Sequence, residues 1–62
     1  MKPGDLVEIT RFGEPFIGLY VGLTPVNEGI QLYRFLIEGV IRDIDIEDKV
    51  IYRGPRVISE VG

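Results

Sequence analysis

The chain has 62 residues and a net charge of −3 at neutral pH, with seven Lys or Arg, ten Asp or Glu, and neither cysteine nor histidine. A domain of this size buries only about 60% of the surface that its unfolded chain exposes, so its core is thin. The missing residue types exclude disulfide bonds and Cys/His zinc sites, which stabilise many small domains. Because 45% of the residues are hydrophobic, we expect self-association to cover part of the apolar surface.

Nothing in the sequence divides the chain or directs it to a membrane. There are no repeats, low-complexity segments or linkers, so residues 1–62 are expected to form a single domain. No apolar run approaches the length of a membrane span, and the opening MKPGDLVEI lacks the apolar core of a signal peptide. We therefore expect a soluble, cytoplasmic protein with no membrane partner.

Glycine and proline divide the first two thirds of the chain into short apolar runs, a spacing that predicts strands. Residues 6–10 form the first predicted strand. Residues 16–23 form the second, which is apolar on both faces, and Gly18 within it indicates a bend or a close backbone approach. The run over residues 30–39 is interrupted at Arg34, which indicates either a bulge or a partly exposed arginine.

The last third predicts two further strands. Residues 40–53 alternate like one half-buried strand, with Ile44 and Ile46 facing inward. The pair Gly54-Pro55 is predicted to end that strand in a tight turn, and residues 57–61 to form the last strand. Five strongly bent strands joined by short turns predict an all-β, SH3-like or Sm-like barrel, since an open sheet would leave two apolar edges unpaired.

The residue types exclude several kinds of chemistry. Acyl transfer needs a nucleophile and a base, yet Ser59 is the one serine and neither cysteine nor histidine occurs. No glycine-rich phosphate-binding motif is present. The acidic residues Asp43, Asp45, Glu47 and Asp48 suit a hard cation in type, but carboxylates on alternate strand residues point apart, which favours a solvated face. We expect no catalysis, no cofactor and no metal site.

Three of the seven cations, Lys49, Arg53 and Arg56, surround the predicted turn. In the stretch VIYRGPRVISEV an aliphatic strand ends in Arg-Gly, two variable residues follow, and a valine begins the last strand. This pattern resembles the second signature of the Sm and LSm proteins. The stretch LVEITRFGEPFIGLYVGL is similar to the first signature of that family, with its glycine turn at Gly13. The chain departs from the family in lacking an opening helix and in carrying Thr24 where the loop aspartate would fall.

The Sm-like resemblance implies a homo-oligomeric ring in which the fourth strand of one subunit pairs with the fifth strand of the next. It implies a pore that carries Thr24 and Asn27 from one loop and Arg53, Gly54 and Arg56 from another. Arginine can stack on a base and bond phosphate, and the asparagine amide can pair with a base edge. The implied function is non-enzymatic binding of single-stranded RNA or DNA, in RNA or DNA processing.

Two alternatives stay open at this point. Arg53 can equally serve the turn itself, by bonding backbone carbonyls or the neighbouring acidic strand. The phrase KPGDLV, residues 2–7, also resembles the small SH3-like proteins of phage genomes, which implies a bacteriophage or similarly compact genome as the source. On that interpretation the protein is an accessory or structural module that binds a protein partner through its apolar faces and binds no nucleic acid.

Overall fold

The computed structural model describes residues 1–58, which form one antiparallel sheet of five strands and contain no helix. The strands are β1 (Leu6–Arg11), β2 (Glu14–Leu23), β3 (Tyr33–Ile37), β4 (Val40–Ile44) and β5 (Tyr52–Val57). Their order across the sheet is β4-β3-β2-β1-β5, so β4 and β5 are its edges. The prediction of a small all-β domain with five strands is confirmed. Across the described range there is accordingly no helix that could cross a membrane.

One face of the sheet carries the core. Residues paired directly across two strands project to the same side, and Val7 is paired with Gly18 while Tyr20 is paired with Phe35. The buried apolar side chains on this side are Val7, Ile9, Tyr20, Phe35, Ile44 and Ile46. Six such side chains make a thin core for the described residues, as the chain length predicts.

Gly18 leaves room on the core side of β2 for two side chains of β3. A Cβ atom at this position would lie 3.0 Å from Ile37 Cγ1 and 3.2 Å from Phe35 Cβ. Both distances are shorter than ordinary carbon–carbon contacts. The Ile37 and Phe35 side chains thus fill the space beside Gly18, which is side-chain packing and not the bend or close backbone approach that the sequence predicts.

The bulge that the sequence predicts near Arg34 is present, but the inserted residue belongs to β2. Tyr20 is paired with Phe35, whereas Gly22 is paired with Arg34, so Val21 is the extra residue. A bulge of this kind increases the local twist and bends the strand that carries it.

The strand predicted over residues 40–53 is wrong beyond Ile44. Turns follow, in which the Asp48 amide donates to the Asp45 carbonyl and the Ile51 amide donates to the Asp48 carbonyl. The Asp48 carboxylate also accepts a hydrogen bond from the Val50 amide at 3.1 Å. Aspartate side chains that bond the nearby backbone favour turns over strands. Ile46 is nevertheless buried, because the turn folds it onto the core.

The tight turn predicted at Gly54-Pro55 is also wrong, because both residues lie inside β5. Glu8 is paired with Arg56 and Thr10 with Arg53, so two residues of β5 stand opposite one residue of β1. The Gly54-Pro55 step, whose peptide bond is cis, is thus a bulge rather than a reversal of the chain. An edge strand tolerates proline because one of its sides needs no amide donor.

The last strand begins earlier than the predicted range of residues 57–61, since β5 starts at Tyr52. Residues 59–61 of that prediction lie outside the described residues. Within residues 1–58 no hydrogen bonds join β4 to β5. Closure into a barrel and assembly into a ring therefore stay predictions.

Candidate functional site

Three of the predicted site residues, Arg53, Gly54 and Arg56, lie together on the edge strand β5. Because Arg53 stands opposite Thr10 and Arg56 opposite Glu8, both arginines are on the face away from the core. The Arg56 guanidinium donates to Glu8 Oε1 at 3.1 Å. Within the part of the chain that the structure describes, the Arg53 guanidinium has no such partner. Arg53 is therefore the freer cation of the two.

The third cation near this strand has a structural role. Lys49 Nζ donates to the Gly54 carbonyl at 2.9 Å and to the Ile46 carbonyl at 3.2 Å. Its ammonium group thus ties the turn after β4 to β5. The sequence left open that Arg53 bonds backbone carbonyls near the predicted turn. In the structure it is Lys49 that makes such bonds.

The other two predicted residues, Thr24 and Asn27, lie in the loop between β2 and β3. Thr24 is buried, and its Oγ1 accepts a hydrogen bond from the Leu32 amide at 2.9 Å. Asn27 is exposed, and its backbone exchanges two hydrogen bonds with Ile30, each of 2.9 Å. The Thr24 hydroxyl is therefore committed to holding the loop, whereas the Asn27 side chain is accessible.

The loop and the edge strand do not share a cavity within one subunit. A shallow cavity of about 630 Å³ is lined by Thr24, Asn27 and their neighbours, with no residue of β5 among the described residues that line it. Convergence of these two groups of residues on a pore requires neighbouring subunits, so it stays a prediction.

A second cavity, of about 670 Å³, has side chains from all five strands in its lining. We call it the arginine groove, and its lining residues are Arg11, Phe16, Ile37, Ile41, Arg42, Asp43, Ile44 and Tyr52. Phe16, Ile37 and Tyr52 also pack against the core. The groove therefore combines apolar and aromatic side chains that pack against the core with charged residues in its lining.

The strand register explains why two arginines lie at this groove. Arg11 follows the buried Ile9 by two residues, and Arg42 precedes the buried Ile44 by two residues. Arg42 is also paired directly with the buried Phe35. Side chains at a spacing of two share a face of a strand, so both arginines project from the core side. An arginine two positions from a buried residue of the same strand is the sequence signal for this groove, and neither Arg11 nor Arg42 was among the predicted site residues.

The groove is locally positive although the chain is acidic. Arg11 and Arg42 have no carboxylate partner within residues 1–58, and the Arg11 Cζ lies 5.6 Å from the centroid of the Phe12 ring. The negative charge of Asp43 is balanced by Arg34, which donates to the two carboxylate oxygens at 2.8 and 3.2 Å. These hydrogen bonds lower the pKa of Asp43. Among the lining residues, Arg11 and Arg42 thus carry positive charge that no ion pair balances, while Glu14 stands opposite Arg11 on the same face.

Among residues 1–58 no group of three or more Asp, Glu, His or Cys side chains is placed to hold a metal ion. In comparisons with models of protein families, with curated proteins and with solved structures, no significant match to this chain was found. The Sm-like and SH3-like resemblances therefore rest on the sequence patterns alone.

Proposed function

We propose that this protein is a non-enzymatic binding module that takes single-stranded nucleic acid in the arginine groove. The observation that carries the proposal is the presence of two unpaired guanidinium groups beside two aromatic side chains, Phe16 and Tyr52, in one groove. Proteins that bind single strands combine cations that contact the phosphates with aromatic rings on which bases stack. RNA or DNA processing in the cytoplasm of a phage-infected cell is the setting that the sequence resemblances suggest.

The acidic net charge limits the affinity that we propose. Two phosphate contacts, from Arg11 and Arg42, predict a plot of log affinity against log salt with a slope of about −1.4, at roughly −0.7 for each contact with a single strand. Asp45 and Glu47 are exposed and acidic, and they repel a polyanion at longer range. Binding is therefore expected at low salt and weak at physiological salt.

A separate proposal for the residues that contact nucleic acid depends on assembly into a ring. Its residues are Arg53, Gly54, Arg56, Asn27 and Thr24. Such a ring would join β4 of one subunit to β5 of the next. Pro55 has no amide hydrogen, and the Gly54 carbonyl already accepts from Lys49. A partner strand would therefore receive no amide donor from β5 at Pro55.

Fluorescence anisotropy with labelled oligo-U, oligo-A and oligo-dT, at two salt concentrations, tests both proposals. We expect Arg11→Gln and Arg42→Gln each to weaken binding about tenfold, the effect of losing one charge-assisted hydrogen bond. Arg53→Gln is the comparison variant, because it removes a cation that is also exposed but projects from the other face. If Arg53→Gln weakens oligonucleotide binding and the two groove variants do not, the result would favour the pore residues as the contact site and exclude the arginine groove.

A second candidate function is a protein-interaction module that binds no nucleic acid. The observation that favours it is the exposed apolar surface on the face away from the core, where Ile17 and Ile41 are about half exposed. Absence of oligonucleotide binding at low salt would exclude the first proposal and leave this one.

A further inference from the structure

The turn between β1 and β2 carries an aromatic residue at a position whose backbone suits asparagine or glycine. Arg11 is paired with Glu14, so Phe12 and Gly13 form a two-residue turn. Both have positive φ, 49° at Phe12 and 82° at Gly13. A turn of this kind normally has Asn, Asp or Gly at its first position, because other side chains are strained in the left-handed region. Phe12 therefore occupies its position at a cost in stability.

The Phe12 ring is also unusually exposed. The chain has three Phe, three Tyr and no Trp, all of them within residues 1–58. The other five aromatic side chains are buried or partly buried, whereas Phe12 is 67% exposed. Packing in the core thus does not explain why an aromatic residue stands in this turn.

The turn holds Phe12 beside the arginine groove. The Cζ atom of Arg11, a lining residue, lies 5.6 Å from the centroid of the Phe12 ring, within the range of a cation–π contact. The Phe12 amide donates to the Ile51 carbonyl at 3.0 Å. Ile51 directly precedes Tyr52, which also lines the groove. The backbone that carries the ring is therefore fixed next to two residues of the groove.

An accessible ring beside a guanidinium group suits a nucleotide. Bases stack on aromatic side chains, and cations next to these side chains contact the phosphates. Phe16 and Tyr52 pack against the core with part of their surface, whereas most of the Phe12 ring is open to a ligand. A base on Phe12 and a phosphate on Arg11 can belong to one short stretch of a single strand.

We propose that one base of the bound strand stacks on Phe12, next to the phosphate that Arg11 contacts. This inference rests on the proposed function, since it takes single-stranded nucleic acid to be the ligand of the arginine groove. It adds a contact residue outside the groove lining, and it directs the strand out of the groove over the β1–β2 turn. A ligand contact also accounts for the strain, because strained residues cluster at functional sites.

Two measurements with different expected directions test the proposal. Phe12→Asn removes the ring and suits the turn, so it should weaken oligonucleotide binding at least about fivefold, the lower end of the effect of one stacked base. Its melting temperature should stay the same or rise. Phe12→Leu keeps an apolar side chain on the same backbone and should weaken binding by a similar factor. Phe12→Tyr is the matched control, because it keeps the ring and should bind within about twofold of the wild-type protein.

The salt dependence separates a stacked base from an effect transmitted through Arg11. Phe12→Leu should keep the wild-type slope of log affinity against log salt, whereas displacement of Arg11 from its phosphate would reduce the magnitude of that slope by about 0.7. A reduced slope would overturn the proposal. A melting temperature lowered by Phe12→Asn would also overturn it, because the ring would then stabilise the fold.

The wild-type protein decides which proposal fails. If it binds oligonucleotides and Phe12→Asn binds them equally well, the stacking role of Phe12 is wrong and the arginine groove stands. If the wild-type protein binds no oligonucleotide at low salt, the proposed function is wrong and the stacking role is overturned with it.

Discussion

Lys49 is bonded to Gly54 across the connection between β4 and β5, with its Nζ 2.9 Å from the carbonyl oxygen. The same ammonium group donates to the Ile46 carbonyl at 3.2 Å. These contacts hold the turn that places Ile46 in the core and that positions β5 beside β1. The ammonium group of Lys49 therefore uses two of its three donors on backbone carbonyls of the fold.

The first prediction concerns this contact. Lys49→Met keeps much of the aliphatic stem and removes the donor, so it should lower the free energy of unfolding by about 0.5–1.5 kcal/mol. Arg53→Met removes a neighbouring cation that has no partner in the described residues, and it should change stability by less than about 0.5 kcal/mol. Urea denaturation measures both. Equal losses would show that the Lys49 contacts do not stabilise the protein.

The second prediction concerns the packing of β3 side chains against Gly18. Gly18→Ala should destabilise the protein by about 1–3 kcal/mol, because the added methyl group meets Ile37 and Phe35 in a packed core. The double variant with Ile37→Ala should lose less than the sum of the single losses, with a coupling of at least about 0.5 kcal/mol. Thermal and urea unfolding measure the cycle. Strict additivity would contradict the proposed steric cause.

The first half of the fold could be predicted because its strands follow a simple alternation. Val7 and Ile9 are buried and the intervening Glu8 is not, as a period of two requires. The importance of Gly18 for packing was predictable from its position in an apolar strand. A glycine there indicates that neighbouring atoms occupy the space of a side chain. Local pattern and tertiary structure agree in this part of the chain.

The second half could not be predicted in the same way because two local signals compete there. Ile44 and Ile46 keep the alternation of a strand, and both are buried. Asp45 and Asp48, however, take part in turns whose hydrogen bonds replace those of a strand ladder. Periodicity alone does not tell whether this segment forms a strand or a turn, since a turn can bury an isoleucine as well as a strand does.

The candidate site was only partly accessible from the sequence. The resemblance directed attention to Arg53 and Arg56, which the structure places on the outward face of β5. The arginine groove depends instead on Arg11 and Arg42, which are 31 positions apart in the sequence and come from different strands. Only the pairing order of the sheet brings such residues to one groove, and no local motif encodes that order.

The third prediction concerns Thr24, whose hydroxyl accepts a hydrogen bond from the Leu32 amide at 2.9 Å. Thr24→Val leaves that part-buried amide without its partner and should destabilise the protein by about 1–2 kcal/mol. Thr24→Ser keeps the acceptor and should lose clearly less stability. If Thr24→Val weakens oligonucleotide binding without loss of stability, Thr24 is a ligand contact and the structural role is wrong.

The fourth prediction concerns the alkaline limit of stability. Burial raises the pKa of Tyr20, and the nearby Tyr33, with ring centroids 6.0 Å apart, raises it further. A free tyrosine ionises near pH 10, so the unfolded chain loses this proton before the folded chain does. The stabilising contribution is therefore complete below about pH 10 and is lost as the pH rises through the raised pKa.

We expect alkaline unfolding of the wild-type protein to coincide with its last step of tyrosinate formation, followed by ultraviolet absorbance and circular dichroism in one titration. Tyr20→Phe keeps the ring in contact with Phe35, whose centroid is 5.4 Å away, and removes the ionisable group. The variant should lose that last tyrosinate step and keep its fold to higher pH, because no buried phenol remains to be ionised. If every tyrosine of the wild-type protein ionises while the sheet stays folded, the Tyr20 hydroxyl is accessible to water and the assigned cause of the pKa shift is wrong.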